Sequence, residues 1–141
     1  MSGELLCTAR TLDELANCFA DEIAKQYKSH LEYWQATAVD DREEYAMWEG
    51  RIQREPDTVR ERVLNRIKAV MANPQQYRRY FRKVLKFFVN WNLIRIVPST
   101  GCFQNLLARD ITHAFAVNVE YLINLKEMKV VKIVHSQKVH L

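Results

Sequence analysis

In the first quarter of the chain, apolar residues recur at spacings of three and four, as they do along one face of an α-helix. The sequence begins this pattern after Thr11, and Glu14 follows three residues later, which is the arrangement of a capping box. The sequence therefore predicts a helix over 12–37 whose opposite side is solvated and mostly acidic. Its apolar stripe consists of Leu12, Leu15, Phe19, Ile23, Tyr27, Leu31 and Trp34.

Two shorter helices are predicted next, separated by a proline. The second helix should begin after Asp40 or Asp41 and run to about residue 53. Pro56 predicts the break, because the residue before a proline is pushed out of the α region. Asp57 should then cap a third helix that ends near residue 72. The inward stripes are Tyr45, Trp48 and Ile52 in the second helix, and Val59, Val63, Ile67, Val70 and Met71 in the third.

The segment 74–92 shows the strongest local signals of the chain. Asn73 is a favourable N-cap, and Pro74 suits the first helical position, where an N–H would lack a partner anyway. On a helical wheel the cations of this segment fill an arc of about 140°, opposite an aromatic and aliphatic face. We therefore expect a fourth helix with one cationic face, which Arg62 and Arg66 of the third helix could extend. The arc consists of Arg78, Arg79, Arg82, Lys83 and Lys86.

The C-terminal part predicts a small β element. Residues 93–97 and 129–135 are rich in β-branched residues and read as strands, while 103–125 has the periodicity of a last helix. Two strands joined by a helix can pair in parallel. Alternatively, the turn residues 98–101 form the tip of a hairpin. The order of elements over 57–107 would then match a winged helix, an analogy that rests on no specific motif.

These elements together predict a mainly α protein, a compact single-domain bundle of about five helices with a small C-terminal β element. With 141 residues, the chain suits one domain over 1–141. We divide it into an acidic helical part (1–55), a basic helical part (56–97), and a C-terminal helix and strand (98–141).

Charge is unevenly distributed along the chain. Residues 1–50 carry a net charge of −7, residues 51–100 a net charge of +9 and residues 101–141 a net charge of +2. Such asymmetry can indicate an acidic or nucleic-acid ligand for the basic part. It can equally indicate two parts of one fold that attract each other.

Composition also indicates where the protein works. No stretch approaches the roughly 18 unbroken apolar residues of a membrane span, and the first residues lack the pattern of a secretory signal. The three cysteines, Cys7, Cys18 and Cys102, are an odd number without metal-ligand spacing. We therefore expect reduced thiols, no contact with a membrane and a cytoplasmic location.

Motifs of catalysis are missing from the sequence. Three glycines in the whole chain exclude both the dinucleotide-binding turn and the phosphate-binding loop, which need closely spaced glycines. The four histidines have no histidine or cysteine at the short spacings of zinc sites, and no serine lies in a nucleophile elbow. We expect no enzyme, no cofactor and no metal.

Two function hypotheses follow from the charged surfaces. The first is a small regulator or inhibitor that binds a protein partner, which could itself belong to a nucleic-acid-binding complex. Its candidate binding residues are Asp21, Glu22, Glu43 and Glu44. The alternative is binding of the nucleic-acid backbone, without strong sequence preference, by the cationic arc together with Arg62 and Arg66. In that case Trp91 could stack on an unpaired base.

Overall fold

The protein combines two long helices with an antiparallel sheet, as shown by a computed structural model that describes residues 2–77, 79–81, 85–90, 92–98 and 119–134. In chain order the elements are β1 (Ser2–Thr8), α1 (Leu12–Thr37), α2 (Arg42–Ala72), a 3-10 turn (Pro74–Tyr77), β2 (Arg79–Phe81), β3 (Leu85–Asn90), β4 (Leu93–Pro98), β5 (Val119–Asn124) and β6 (Lys129–Val134).

The described strands form one sheet in the order β1-β6-β5-β4-β3-β2, and every neighbouring pair is antiparallel. From β2 to β6 each strand pairs with the next strand along the chain. β1 precedes both helices and returns to pair with β6, with a bulge between Leu5 and Cys7. The two helices thus lie within the connection between the two edge strands.

One face of the sheet carries the helices. Buried residues alternate along β4, where Ile94 and Ile96 lie in the main core, and Tyr121 and Ile123 of β5 lie in the same core. The ring of Phe19 in α1 meets that of Tyr121 edge-on, with centroids 5.5 Å apart. This core contains residues 15–23 of α1 and residues 63–71 of α2, so the sheet supports the first half of one helix and the second half of the other.

The first predicted helix is confirmed, since α1 spans Leu12–Thr37. Thr11 Oγ1 accepts a hydrogen bond from the Glu14 N–H (3.1 Å), and Glu14 Oε2 accepts one from the Arg10 N–H (3.0 Å). The predicted stripe is buried from Leu15 to Trp34, whereas Leu12 is half exposed. The capping residues and the regular apolar stripe were sufficient to predict this helix.

The predicted break at Pro56 is wrong, because α2 continues through it from Arg42 to Ala72. The start is confirmed: the Asp41 side chain accepts a hydrogen bond from the Glu44 N–H (3.1 Å). A proline inside a helix removes one N–H donor and costs about 3 kcal/mol. The helix persists because it is buried on both sides of the proline, at Trp48 before it and at Val63 after it. Asp57 therefore caps no helix.

The five-helix bundle is also wrong, because the segment 74–92 contains strands. The signal at Asn73 and Pro74 produces only the 3-10 turn, after which β2 and β3 form a hairpin. Tyrosine, phenylalanine and valine are frequent in this segment, and these residues favour strands. Along β3, Val89 is buried while Phe88 is half-buried, as alternation in a strand requires. The described part of the chain is therefore α+β rather than mainly α.

Both predicted C-terminal arrangements are wrong, although both predicted strands are confirmed as β4 and β6. The two strands do not pair in parallel, because β5 lies between them. β5 occupies the end of the helix predicted over 103–125, and residues 103–118 lie outside the described part. The winged-helix arrangement over 57–107 is wrong as well, since the described residues between 78 and β4 lie in strands or a turn and not in a helix.

The expectation of reduced thiols is wrong for two of the three cysteines. Cys7 on β1 and Cys18 on α1 form a disulfide, and their Cα atoms are 6.7 Å apart. The short connection between β1 and α1 brings Cys7 and Cys18 together. Cys102, the third cysteine, lies outside the described residues. Disulfides persist mainly in oxidising compartments. The cysteines therefore no longer support the expected cytoplasmic location.

Candidate protein-binding surface

α1 and α2 form an antiparallel hairpin that side-chain contacts join along its length. The later a residue lies in α1, the earlier its partner lies in α2, as expected for two antiparallel helices. The joined atoms are Asp13 Oδ1 and Lys68 Nζ (2.7 Å), Asp21 Oδ1 and Arg60 Nε (2.5 Å), and Glu49 Oε2 and Gln35 Nε2 (2.6 Å). The two helices are therefore one unit from the sheet to the connecting turn.

Two of the four predicted protein-binding residues are used inside the fold. Asp21 binds Arg60 across the hairpin. Glu22 lies against the sheet with 10% of its side chain exposed, and its Oε2 is 3.2 Å from both the Tyr121 hydroxyl and Lys132 Nζ. Because these carboxylates already hold α1 to its neighbours, they are poor candidates for contact with a partner.

Glu43 and Glu44 lie at the start of α2, at the far end of the hairpin. Glu43 is exposed. Glu44 is half-buried, and its Oε1 accepts a hydrogen bond from Trp48 Nε1 (3.4 Å). Of the four predicted residues, Glu43 is therefore the one best placed to contact another molecule.

We call residues 32–49, which comprise the last turns of α1, the connection and the first turns of α2, the hairpin end. At 1.5 Å per residue, α1 extends roughly 21 Å past Ile23, its last residue in the core shared with the sheet. The hairpin end contains six acidic residues and one arginine, a net charge of −5. The acidic residues are Glu32, Asp40, Asp41, Glu43, Glu44 and Glu49.

Large apolar side chains are exposed among these charges. Val39 is 70% exposed, Met47 47% and Tyr45 45%, and Tyr33 is also exposed. Tyr45 was predicted to lie on the inward stripe of the second helix, which is wrong. Tyr45 lies only about 60° from the buried Trp48 on the wheel, so the periodicity of this short stripe could not have corrected the prediction.

A second core lies between the two helices, within the hairpin end and just before it. It contains Tyr27, Leu31, Trp34, Ala38 and Trp48, all of them helix or turn residues. Tightly packed aromatic residues of this kind hold a helix pair in one arrangement. The exposed residues of the hairpin end are therefore presented on a firm base.

A polar brace lies beside the second core, next to Pro56. The Tyr27 hydroxyl donates to Glu55 Oε1 (2.7 Å), and Arg51 binds both oxygens of Glu55 while lying 4.9 Å over the Trp48 ring. Burial and then the hydrogen bond to Glu55 raise the pKa of Tyr27 above its ordinary value. The hydrogen bonds from Arg51 lower the pKa of Glu55, so the brace holds a charged carboxylate.

The predicted nucleic-acid site does not form as a helical arc. Arg79 lies on β2 and Lys86 on β3, while Arg62 is exposed and Arg66 half-buried on α2. Helical spacing no longer relates Arg79 and Lys86, because residues along a strand repeat with a period of two. The other predicted residues of this site, Arg78, Arg82, Lys83 and Trp91, lie outside the described residues.

Neither a metal site nor a membrane helix is found in the described part of the chain. Among residues 2–77, 79–81, 85–90, 92–98 and 119–134, no three histidine, cysteine or acidic side chains are grouped so that they could hold a metal ion. No described helix combines the length and the apolar character needed to cross a bilayer.

Comparison of the chain with protein-family models, with curated proteins and with solved structures gives no match.

Proposed function

We propose that this protein is a small non-enzymatic regulator or inhibitor that binds a protein partner through the hairpin end. The observation that carries the proposal is the combination of a net charge of −5 with exposed Val39, Tyr45 and Met47 on a stiff support. Protein interfaces commonly pair exposed aromatic and Met residues with charge complementarity. The expected partner surface is basic, with apolar side chains at its centre.

Charge reversal at exposed positions tests this proposal. Asp40→Lys combined with Glu43→Lys changes the charge of the hairpin end by +4, and both residues are exposed. Glu4→Lys combined with Glu61→Lys makes the same change on exposed residues of β1 and of the other half of α2. Thermal unfolding of all variants first establishes that each one is folded.

The measurement is association with a partner captured by cross-linking from an extract of the source cells and then purified. The hairpin-end variant should associate at least about tenfold more slowly at low salt, while the control pair changes the rate by less than about twofold. The difference should shrink as salt screens the charges. Equal rates for both variants at every salt concentration would reject the hairpin end as the binding surface.

Nucleic-acid binding by the basic segment is the alternative hypothesis. It now rests on the number of cations in 78–86 alone, since the helical arc that motivated it is not formed. Single-stranded and duplex DNA should be added to the same assay. Binding that falls steeply with salt, and that survives charge reversal of the hairpin end, would favour this alternative.

A further inference from the structure

On the outer side of the hairpin end α1 and α2 touch, and we call the surface around this contact, formed by Glu32, Gln35, Val39, Tyr45 and Glu49, the seat. Gln35 Nε2 donates to Glu49 Oε2 (2.6 Å) and lies 3.4 Å from the Tyr45 carbonyl oxygen, so the two helices approach closely here. Gln35 lies about 140° around α1 from Glu22, which contacts the sheet. The seat therefore faces away from the sheet.

Apolar and acidic side chains surround this contact in a definite order. Val39 lies in the connecting turn, two residues after the end of α1, and Tyr45 lies in the first turn of α2; Val39 is 70% exposed and Tyr45 45%. Glu32 lies one turn before Gln35, and Glu49 one turn after Tyr45; both are exposed carboxylates. The seat thus has an apolar centre near the connecting turn and acidic groups along both helices.

The carboxylate of Glu49 keeps its charge in this setting. Hydrogen bonds from Gln35 and then from Gln53 lower its pKa. The surrounding residues of the hairpin end add further negative charge, with Arg42 as the one cation in 32–49. A phosphate backbone or an anionic membrane surface would be repelled from this face, whereas a cationic segment would be attracted.

We propose that this seat binds a cationic amphipathic helix of the partner, lying in the groove between α1 and α2. A third helix can pack its apolar stripe onto Val39 and Tyr45, since a pair of antiparallel helices presents a groove of the width a helix needs. Lysine and arginine beside that stripe would then lie opposite Glu32 and Glu49. This inference rests on the proposed function and specifies the class of partner.

A defined peptide provides the test. The probe is an 18-residue fluorescein-labelled peptide of leucine and lysine whose leucines lie on one helical face. The matched control peptide has the same composition in an order that places no apolar stripe on either a helix or a strand. Binding to the intact protein is measured by fluorescence anisotropy at several salt concentrations.

The expected result is that the amphipathic peptide binds at least about tenfold more tightly than its scrambled control. Val39→Asp should weaken that binding at least about tenfold, because it places a charge at the apolar centre. Leu12→Asp is the matched control, since Leu12 is also exposed but lies at the other end of α1. It should leave the affinity within about twofold.

Other outcomes would overturn this inference in distinguishable ways. Equal binding of both peptides would show that charge alone attracts them, and the hairpin end could still be the partner-binding surface. Binding unaffected by Val39→Asp would place the peptide elsewhere. Concentration-dependent self-association of the protein alone, abolished by Val39→Asp, would show that the seat holds a second copy of this chain.

Discussion

Tyr27 and Glu55 hold the two helices together where α2 passes its proline. The Tyr27 hydroxyl donates to Glu55 (2.7 Å), and its ring is buried in the second core. Tyr27→Phe keeps the ring and removes the donor, so it should lower the free energy of unfolding by about 1 kcal/mol in urea denaturation. Tyr33→Phe alters an exposed tyrosine of the same helix and should cost less than about 0.5 kcal/mol. Equal losses would show that the hydroxyl is not part of a brace.

The charge of Glu55 makes the stability of the hairpin depend on pH. Its pKa is lowered in the fold, chiefly by hydrogen bonds from Arg51, so the unfolded chain binds a proton more readily than the folded one. Its contribution is therefore complete above the ordinary glutamate pKa of 4.5 and is lost as the pH falls through the lower folded value. Urea denaturation between pH 6 and pH 3 should show a smaller loss of stability in Glu55→Gln than in the natural protein. Equal losses in both would contradict this role.

Residue roles were predictable where they depend on one helix and not where they depend on its neighbours. The inward positions Phe19, Ile23 and Leu31 followed from periodicity alone. Glu22 looked like solvated surface, because its partners Tyr121 and Lys132 lie about a hundred residues later. Tyr45 looked like a core residue because a short stripe fits more than one orientation of the helix.

At the scale of elements, Pro56 is the clearest conflict between local preference and tertiary structure. α2 is continuous through this position although the proline removes a helical donor. Pro56→Ala restores the donor and should raise the free energy of unfolding by about 2 kcal/mol, since the helix gain outweighs the added entropy of the unfolded chain. Thr58→Ala, two residues later on the exposed side, should change stability by less than about 1 kcal/mol. A loss of stability in Pro56→Ala would mean that the proline ring itself is needed for packing.

The disulfide joins the edge strand β1 to α1. Cys7 and Cys18 are 11 residues apart, and closing a loop of this size stabilises a fold by about 3 kcal/mol in the chain-entropy account. A dithiol reductant should therefore lower the unfolding midpoint of the natural protein and increase hydrogen exchange in β1. The double variant Cys7→Ser and Cys18→Ser should already show the lower midpoint and should not respond to the reductant. A full response in the double variant would place the effect of the reductant elsewhere.

The elements also show which part of the fold the sequence could predict. α1 carries its own cap and stripe, so its ends were predictable to the residue. β3 matches a helical wheel as well as a strand, and the choice is made by pairing with β2 and β4. The same holds for β5, since a run such as Val119–Asn124 is apolar enough for either element. Strand pairing depends on residues that are distant in the sequence, so no short stretch of the sequence is enough to predict it.

At the scale of the whole molecule, part of the opposed charge lies inside the fold. Asp13 and Asp21 in the acidic part bind Lys68 and Arg60 in the basic part. These contacts bear out one reading of the charge asymmetry, which is that the two parts attract each other. The hairpin end differs, because its six acidic residues outnumber its one cation, Arg42, and the next cation along α2, Arg51, binds Glu55. We propose that this excess negative charge of the hairpin end attracts the partner.

A double-mutant cycle separates these internal contacts from the free charge of the hairpin end. Asp21→Asn and Arg60→Gln remove the two partners of one ion pair in turn, and their coupling energy should be about 0.2–1 kcal/mol, since both side chains are partly solvated. The coupling should decrease between low salt and about 0.5 M salt, as screening weakens an exposed pair. Glu43→Gln combined with Arg60→Gln is the control cycle and should show no coupling, because Glu43 lies near the opposite end of the hairpin. A coupling in the control as large as that of Asp21 would mean that the hairpin end is neutralised within the molecule, and its charge would then be unavailable for a partner.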